Sequence, residues 1–248
     1  RVAGRRGRSV LILDHARRPA EKIRISGGGR CNFTNLHSSP AAFLSNNRHF
    51  CKSAFTRYTQ DDFVQLVTQH QIAFHEKKLG QLFCDHSSQE VITMLQTECA
   101  RFNVKIRLQQ HIDNISRRDD CFLVEGNFPH IWAESIVIAT GGLSIPKIGA
   151  TDFGYKIAQK FGLPLVPTRP GLVPLTFDAD MLIRCRGLSG LSVKARVLCQ
   201  RSSFAEGLLF THRGLSGPSI LQISSYWDDG LPINVDLVPS TDIAAFLQ

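Results

Sequence analysis

No apolar run in this 248-residue chain approaches the ~20 residues needed to cross a bilayer, and nothing at its start has the layout of a signal peptide. Neither a membrane partner nor export is expected, and a reducing cytoplasm is the expected compartment. Cysteine usage agrees. There are seven, an odd number without C-x-x-C spacing, which argues against a disulfide framework and a structural zinc site. Other chemistries are excluded the same way. The phosphate loop G-x-x-x-x-G-K-[ST] is missing, since Lys147 lacks its preceding glycine. Gly-Leu-Ser-Gly, at 187–190 and 214–217, is not the G-x-S-x-G nucleophile elbow. His70, His75 and His86 fall outside H-E-x-x-H spacing, so no metal is expected. The formal net charge is +8, yet no Lys/Arg block is interleaved with aromatics, and nucleic acid is not the expected partner. A basic surface also suits an anionic cofactor.

What is present is the composition of a soluble globular protein, 43% hydrophobic and 20% charged. Ser9 to Leu13 (SVLIL) is an apolar run closed by Asp14. Such runs read as parallel strands covered on both faces, with carboxyl ends that face a ligand crevice. A carboxylate in that position accepts hydrogen bonds from adenosine ribose hydroxyls and repels a 2′-phosphate, although Arg17 and Arg18 keep NADP open. Asp14 is otherwise a turn cap. Residues 25 to 35 (ISGGGRCNFTN) follow. Three consecutive glycines let backbone approach a bulky ligand and aim N–H groups at anionic oxygens. Ser26, Arg30, Asn32, Thr34 and Asn35 add donors around them. Cys31 reads as a small, partly buried filler or as a thiol facing a cofactor.

Farther on, residues 40 to 102 read as largely helical, with capping boxes at Thr59/Asp62 and Ser87/Glu90 and a small β excursion at 72–74 and 81–84. Strands are expected at 104–108, 112–116, 121–125 and 131–140. The last of these ends in Thr140-Gly141-Gly142, at the same crevice edge as Asp14 if the sheet is parallel. A helix over 151–161 places its N-terminus next to that turn, where free N–H groups suit a pyrophosphate. Residues 163–174, with four prolines, read as a crossover to further strands at 193–198 and 208–210. His212 is the histidine to test first, a core or capping role being the alternative.

The chain begins with Arg1, in a segment like the last turn of a helix, and stops soon after an apparent helix starts at Thr241. It reads as an internal piece of a longer protein, lacking the first strand of a βαβ unit and its G-x-G-x-x-G turn. A polypeptide of this extent is expected to hold its cofactor poorly unless the remaining parts are supplied.

Lys22-to-Asn35 (KIRISGGGRCNFTN), Gly80-to-Cys84 (GQLFC), Ile138-to-Tyr155 (IATGGLSIPKIGATDFGY), Leu172-to-Leu175 (LVPL) and Leu209-to-Ser219 (LFTHRGLSGPS) together resemble the BaiN/YhiN-like family of bacterial FAD-dependent oxidoreductases. The resemblance implies an α/β fold: a doubly wound, parallel-sheet, Rossmann-like FAD domain at 1–177, with a helical elaboration at about 40–102, and part of an inserted β-rich covering domain at 178–248. It implies that Asp14 holds the adenosine ribose and that Ser26, Gly27, Gly28, Arg30, Cys31 and Asn32 line the pyrophosphate and flavin. Ile112 would meet the adenine through its backbone. Thr140, Gly141 and Gly142 would pass beside the cofactor, with Thr151 and Gly154 nearby. The implied activity is hydride exchange between NAD(P)H, FAD and an unidentified, enone-like small molecule; no catalytic residue is assigned. Two alternatives stay open, an NADP-dependent dehydrogenase without flavin and a basic nucleotide- or RNA-binding module.

Overall fold

The structure is a computed structural model that describes residues 1–239; the helix expected from Thr241 lies outside them. The chain divides into two compact units, Arg1–Leu165 and Val166–Gln248. In chain order the first holds α1 (Val2–Arg5), β1 (Leu11–Leu13), α2 (Glu21–Ile25), β2 (Asn32–Asn35), α3 (Lys52–Arg57), α4 (Gln60–Gln69) and β3 (Phe74–Glu76). It continues through β4 (Gln81–Cys84), α5 (Ser88–Arg101), β5 (Lys105–Arg107), β6 (Ile112–Arg118), β7 (Cys121–Gly126), β8 (Ile131–Ala133) and α6 (Phe153–Lys160). The second holds β9 (Leu175–Thr176), α7 (Ala179–Cys185), β10 (Ser192–Cys199), β11 (Ser202–Thr211), β12 (Gly214–Ser216), α8 (Pro218–Ile223) and β13 (Asn234–Asp236).

Both expected capping boxes form. Asp62 N donates to Thr59 Oγ1 at 3.2 Å while Thr59 N donates to the Asp62 carboxylate at 2.7 Å. At α5, Gln89 N donates to Ser87 Oγ at 3.1 Å and Ser87 N to Glu90 at 3.3 Å. Each pair satisfies N–H groups that the first helical turn leaves free. The helices so started bury Leu66 and Val67 from α4 and Val91 and Met94 from α5 in one core with Cys31 and Cys84. β2, β4 and β3 form a small antiparallel sheet beside it. β2 was not expected, because Asn-Phe-Thr-Asn shows one apolar residue and no alternation to read.

β1 and β5 pair in parallel, Ile12 opposite Ile106, and α/β is the fold class. This is the one parallel pairing among the described residues; β6, β7 and β8 are antiparallel. A second core joins them, with Ile115, Val124 and Ile157 packed against Leu13, Ile112, Ile136 and Phe153. The strand expected over 131–140 is a correction. Only Ile131–Ala133 is paired, and residues 135–140 pair with no strand. Val137 is 86% exposed although its apolar neighbours read as interior. Apolar composition reports a preference for burial, but a strand also needs a partner backbone, and none of the described residues supplies one.

In the second unit an antiparallel sheet runs β13-β10-β11-β12-β9. α8 covers it, and Val197, Leu208, Ile220 and Ile223 are sealed between them. This unit starts at Val166, and Leu175, just after the proline-rich crossover, pairs with Leu215.

Candidate functional site

Asp14 stands at the carboxyl end of β1. Its N–H donates to Arg107 O and its carbonyl accepts from Gln110 N, both at 3.0 Å. The carboxylate accepts from Ala16 N through Oδ1 at 2.9 Å, with His15 Nδ1 at 3.8 Å. Oδ2 makes no hydrogen bond among the described residues, so the acid is fixed in place with one oxygen left to receive a donor. The Gln110 link leads directly to Ile112 at the start of β6, and Ile112 and Leu13 share a core.

The segment after β8 returns to the same place. A methyl group added at Gly154 would lie 2.9 Å from Thr140 Oγ1, and one at Gly142 would lie 3.3 Å from the Tyr155 hydroxyl. At Gly149 it would collide with the His15 ring. Ile136 packs in the core that holds Leu13. Gly154 thus lies against Thr140 and Gly142 beside Tyr155, while Asp14 and Ile112 are linked through Gln110 and the core around Leu13. Thr151 accepts from Phe153 N at 3.4 Å just ahead of α6. Sequence reading missed Lys22, whose ammonium hydrogen-bonds Ser144 and ties α2 to this segment. A link across 122 positions leaves no trace in local spacing.

α2, five residues and about 7.5 Å long, carries the chain from the Asp14 turn to the glycines. Gly27, Gly28 and Gly29 all have positive φ, at 58°, 67° and 88°. They serve two purposes. A Cβ on Gly27 would sit 2.6 Å from Asn32 N and 2.8 Å from Phe83, so this glycine permits close packing. At Gly28, Gly29 and Gly141 a Cβ would meet nothing within 4 Å. There the bare backbone faces open space in a conformation that side chains disfavour. Such a bend leaves room for the close approach of a dinucleotide such as FAD. Arg30 is exposed, and its guanidinium is unpaired among the described residues. Ser26 Oγ donates to Ile23 O at 2.8 Å, and the Asn32 amide faces Leu82 O and Thr34 O at 3.2 and 3.3 Å. Both side chains brace the turn.

Cys31 takes the filler reading. It is 4% exposed, in the helical core, at φ 52°. Burial pushes its thiol up, opposed by the Ser26 hydrogen bond, and pushes Cys84 up to about 12, with Cys31 adding to the effect. Burial thus disfavours the thiolate, the nucleophilic form, at both positions. Among the described residues no group of three or more His, Cys, Asp or Glu could hold a metal, and no helix is long and apolar enough to cross a membrane.

Comparison with known proteins adds the lineage. Residues 1–217 match the sequence profile described as the HI0933-like protein Rossmann domain. The chain belongs to the HI0933-like family. This is a Rossmann-type, FAD-binding oxidoreductase family that includes YhiN-like proteins. A ribosomal RNA dihydrouridine synthase of Escherichia coli (strain K12) is 50% identical over 248 residues, covering 100% of this chain and 62% of that protein. Its counterpart in Haemophilus influenzae is 43% identical, covering 96% and 60%. A 3-dehydro-bile acid delta(4,6)-reductase of Clostridium scindens is 24% identical, covering 94% and 59%. The HI0933-like chain thus spans about 60% of the length of these relatives.

Proposed function

We propose that this chain is the FAD-binding portion of a flavin-dependent reductase that saturates the C5=C6 bond of a uridine in ribosomal RNA. The observation that carries the flavin reading is the open, side-chain-free backbone at Gly28, Gly29 and Gly141, in the same unit as the strand-terminal Asp14. In this reading Asp14 Oδ2 takes the ribose hydroxyls, and the backbone of Ile112 meets the adenine. Ser26 to Asn32, Thr140 to Gly142, Thr151 and Gly154 line the pyrophosphate and ring system. Bound FAD would supply two-electron hydride transfer, with NAD(P)H as the reductant.

The substrate reading draws on the relatives. Their names describe reduction of carbon–carbon double bonds in two unlike molecules, a uridine and a 3-dehydro bile acid. The shared chemistry is an alkene conjugated to a carbonyl, which the enone-like expectation also describes. In uracil the hydride would add at C6, remote from the C4 carbonyl, and a proton at C5. The relative at 50% identity favours RNA over a small molecule, setting aside the expectation that nucleic acid is no partner. Deleting the gene and restoring it tests the reading. Mass spectrometry of ribosomal RNA digests should show one dihydrouridine lost and then regained, and the purified full-length protein should carry flavin. Unchanged RNA in the deletion strain would refute it.

A further inference from the structure

We infer that the second unit seats a single pyrimidine nucleotide of the RNA substrate, in the cavity between α7 and the β11–β12 turn; this rests on the RNA reading just given. The cavity has a volume of about 320 Å³, and its lining includes apolar Phe177, Leu182 and Ile183 and polar Arg186, Thr211 and His212. The turn is pinned. Thr211 Oγ1 accepts from Arg213 N at 3.2 Å and from Gly214 N at 3.1 Å, and donates to Gly214 O at 3.0 Å. Phe177 N donates to Arg213 O at 3.0 Å, stitching the far wall to the same turn. Asp178 caps α7 by accepting from Met181 N at 2.8 Å. The side chains of His212 and Arg186 are both exposed and make no hydrogen bond or ion pair among the described residues, although the Arg186 N–H donates to Ile183 O at the end of α7.

Chemistry on a base requires that it leave the stack, and enzymes receive such a base in a snug pocket with apolar or aromatic walls and a few directed polar groups. Here Phe177 offers a ring face, the His212 imidazole an N–H for a uracil carbonyl, and Arg186 a fork for the 5′-phosphate. The volume falls at the small end of ligand cavities, which suits one nucleotide.

The test measures binding of pentauridylate, carrying a red dye, to the full-length, flavin-loaded protein by anisotropy across a salt series, with pentaadenylate for comparison. Arg186→Ala should weaken pentauridylate about tenfold, as loss of a charge-assisted hydrogen bond does, and flatten the log–log salt slope by about 0.7. His212→Gln should narrow the preference for pentauridylate over pentaadenylate. Arg201→Ala removes the same charge beside the β10–β11 turn, at the opposite end of β11, and should change affinity less than twofold. The inference is overturned if Arg186→Ala and His212→Gln bind as the parent does, if Arg201→Ala is as damaging as Arg186→Ala, or if the parent shows no preference for uridine. Ribosomal dihydrouridine separates the two readings. Its formation by the parent and both pocket variants alike overturns the nucleotide seat alone, and its absence with the parent overturns the proposed function itself.

Discussion

Gly27 and Gly141 have similar backbones, with φ of 58° and 73°, and opposite surroundings. The contrast separates a packing role from a ligand role. Gly27→Ala drives a methyl group into Asn32 N and the Phe83 ring, and overpacking plus the disfavoured φ should cost about 2–3 kcal/mol. Gly141→Ala meets no protein atom and should cost about 1 kcal/mol, from φ alone. Flavin affinity should rank the other way once measured per folded molecule, with Gly141→Ala the weaker binder. Urea midpoints and flavin titration of the full-length protein check both. Flavin loss that merely tracks stability in the two variants would remove Gly141 from the cradle. The buried thiols set a second expectation. Because burial raises Cys31 and takes Cys84 to about 12, folding favours the protonated thiols over their unfolded value near ~8.5. The contribution of Cys84 is complete below that value and is lost as the pH climbs toward 12, and that of Cys31 is lost in the same direction. Urea midpoints measured from pH 8 to 10.5 should fall more steeply in the parent than in Cys84→Val.

Elements differ in how openly the chain announces them. The two capping boxes, the α4 and α5 helices and the strands β6 and β7 were legible because their signals are local: a hydroxyl and a carboxylate three residues apart, and apolar positions at regular spacing. Ser87 shows how much rests on such a signal. Ser87→Ala should lower stability by about 1 kcal/mol, read as a shift in urea midpoint, because α5 presents Val91, Ile92 and Met94 to the interior. β2, α2 and the unpaired stretch 135–140 were not legible. A four-residue strand with one phenylalanine and a five-residue helix are too short to show a period, and pairing depends on a partner that composition cannot name. The candidate site divides along the same line. Asp14 and the glycines could be read from the ends of an apolar run. The Lys22–Ser144 tie and the burial of Cys31 depend on contacts made only in three dimensions.

Charge is a property of the whole molecule, and its distribution is uneven. Arg1–Leu165 has 22 Lys and Arg against 14 Asp and Glu, whereas Val166–Gln248 has seven of each, so the entire formal charge of +8 falls on the first unit. If RNA is the partner, the sequence-independent share of its binding belongs to that unit, since phosphate neutralisation and counterion release follow the basic residues. The second unit, neutral overall, is suited to reading one nucleotide. Within the first unit, the side chains of Arg5 and Arg6 are exposed, unpaired among the described residues, and line a cavity of about 660 Å³ with Tyr58, Gln65, Gln69 and the Asp62 carboxylate, which Thr59 already holds. Arginine forks beside an aromatic ring and two amides suit a single-stranded backbone. Replacing both arginines by alanine in the full-length protein should weaken pentauridylate and pentaadenylate equally, leaving the preference for uridine intact. The log–log salt slope should flatten by about 1.4, or ~0.7 for each phosphate contact removed. An unchanged slope would move the electrostatic footprint elsewhere on the first unit, and a lost preference would contradict the proposed division of labour, in which the charged unit holds the strand and the neutral one selects the base.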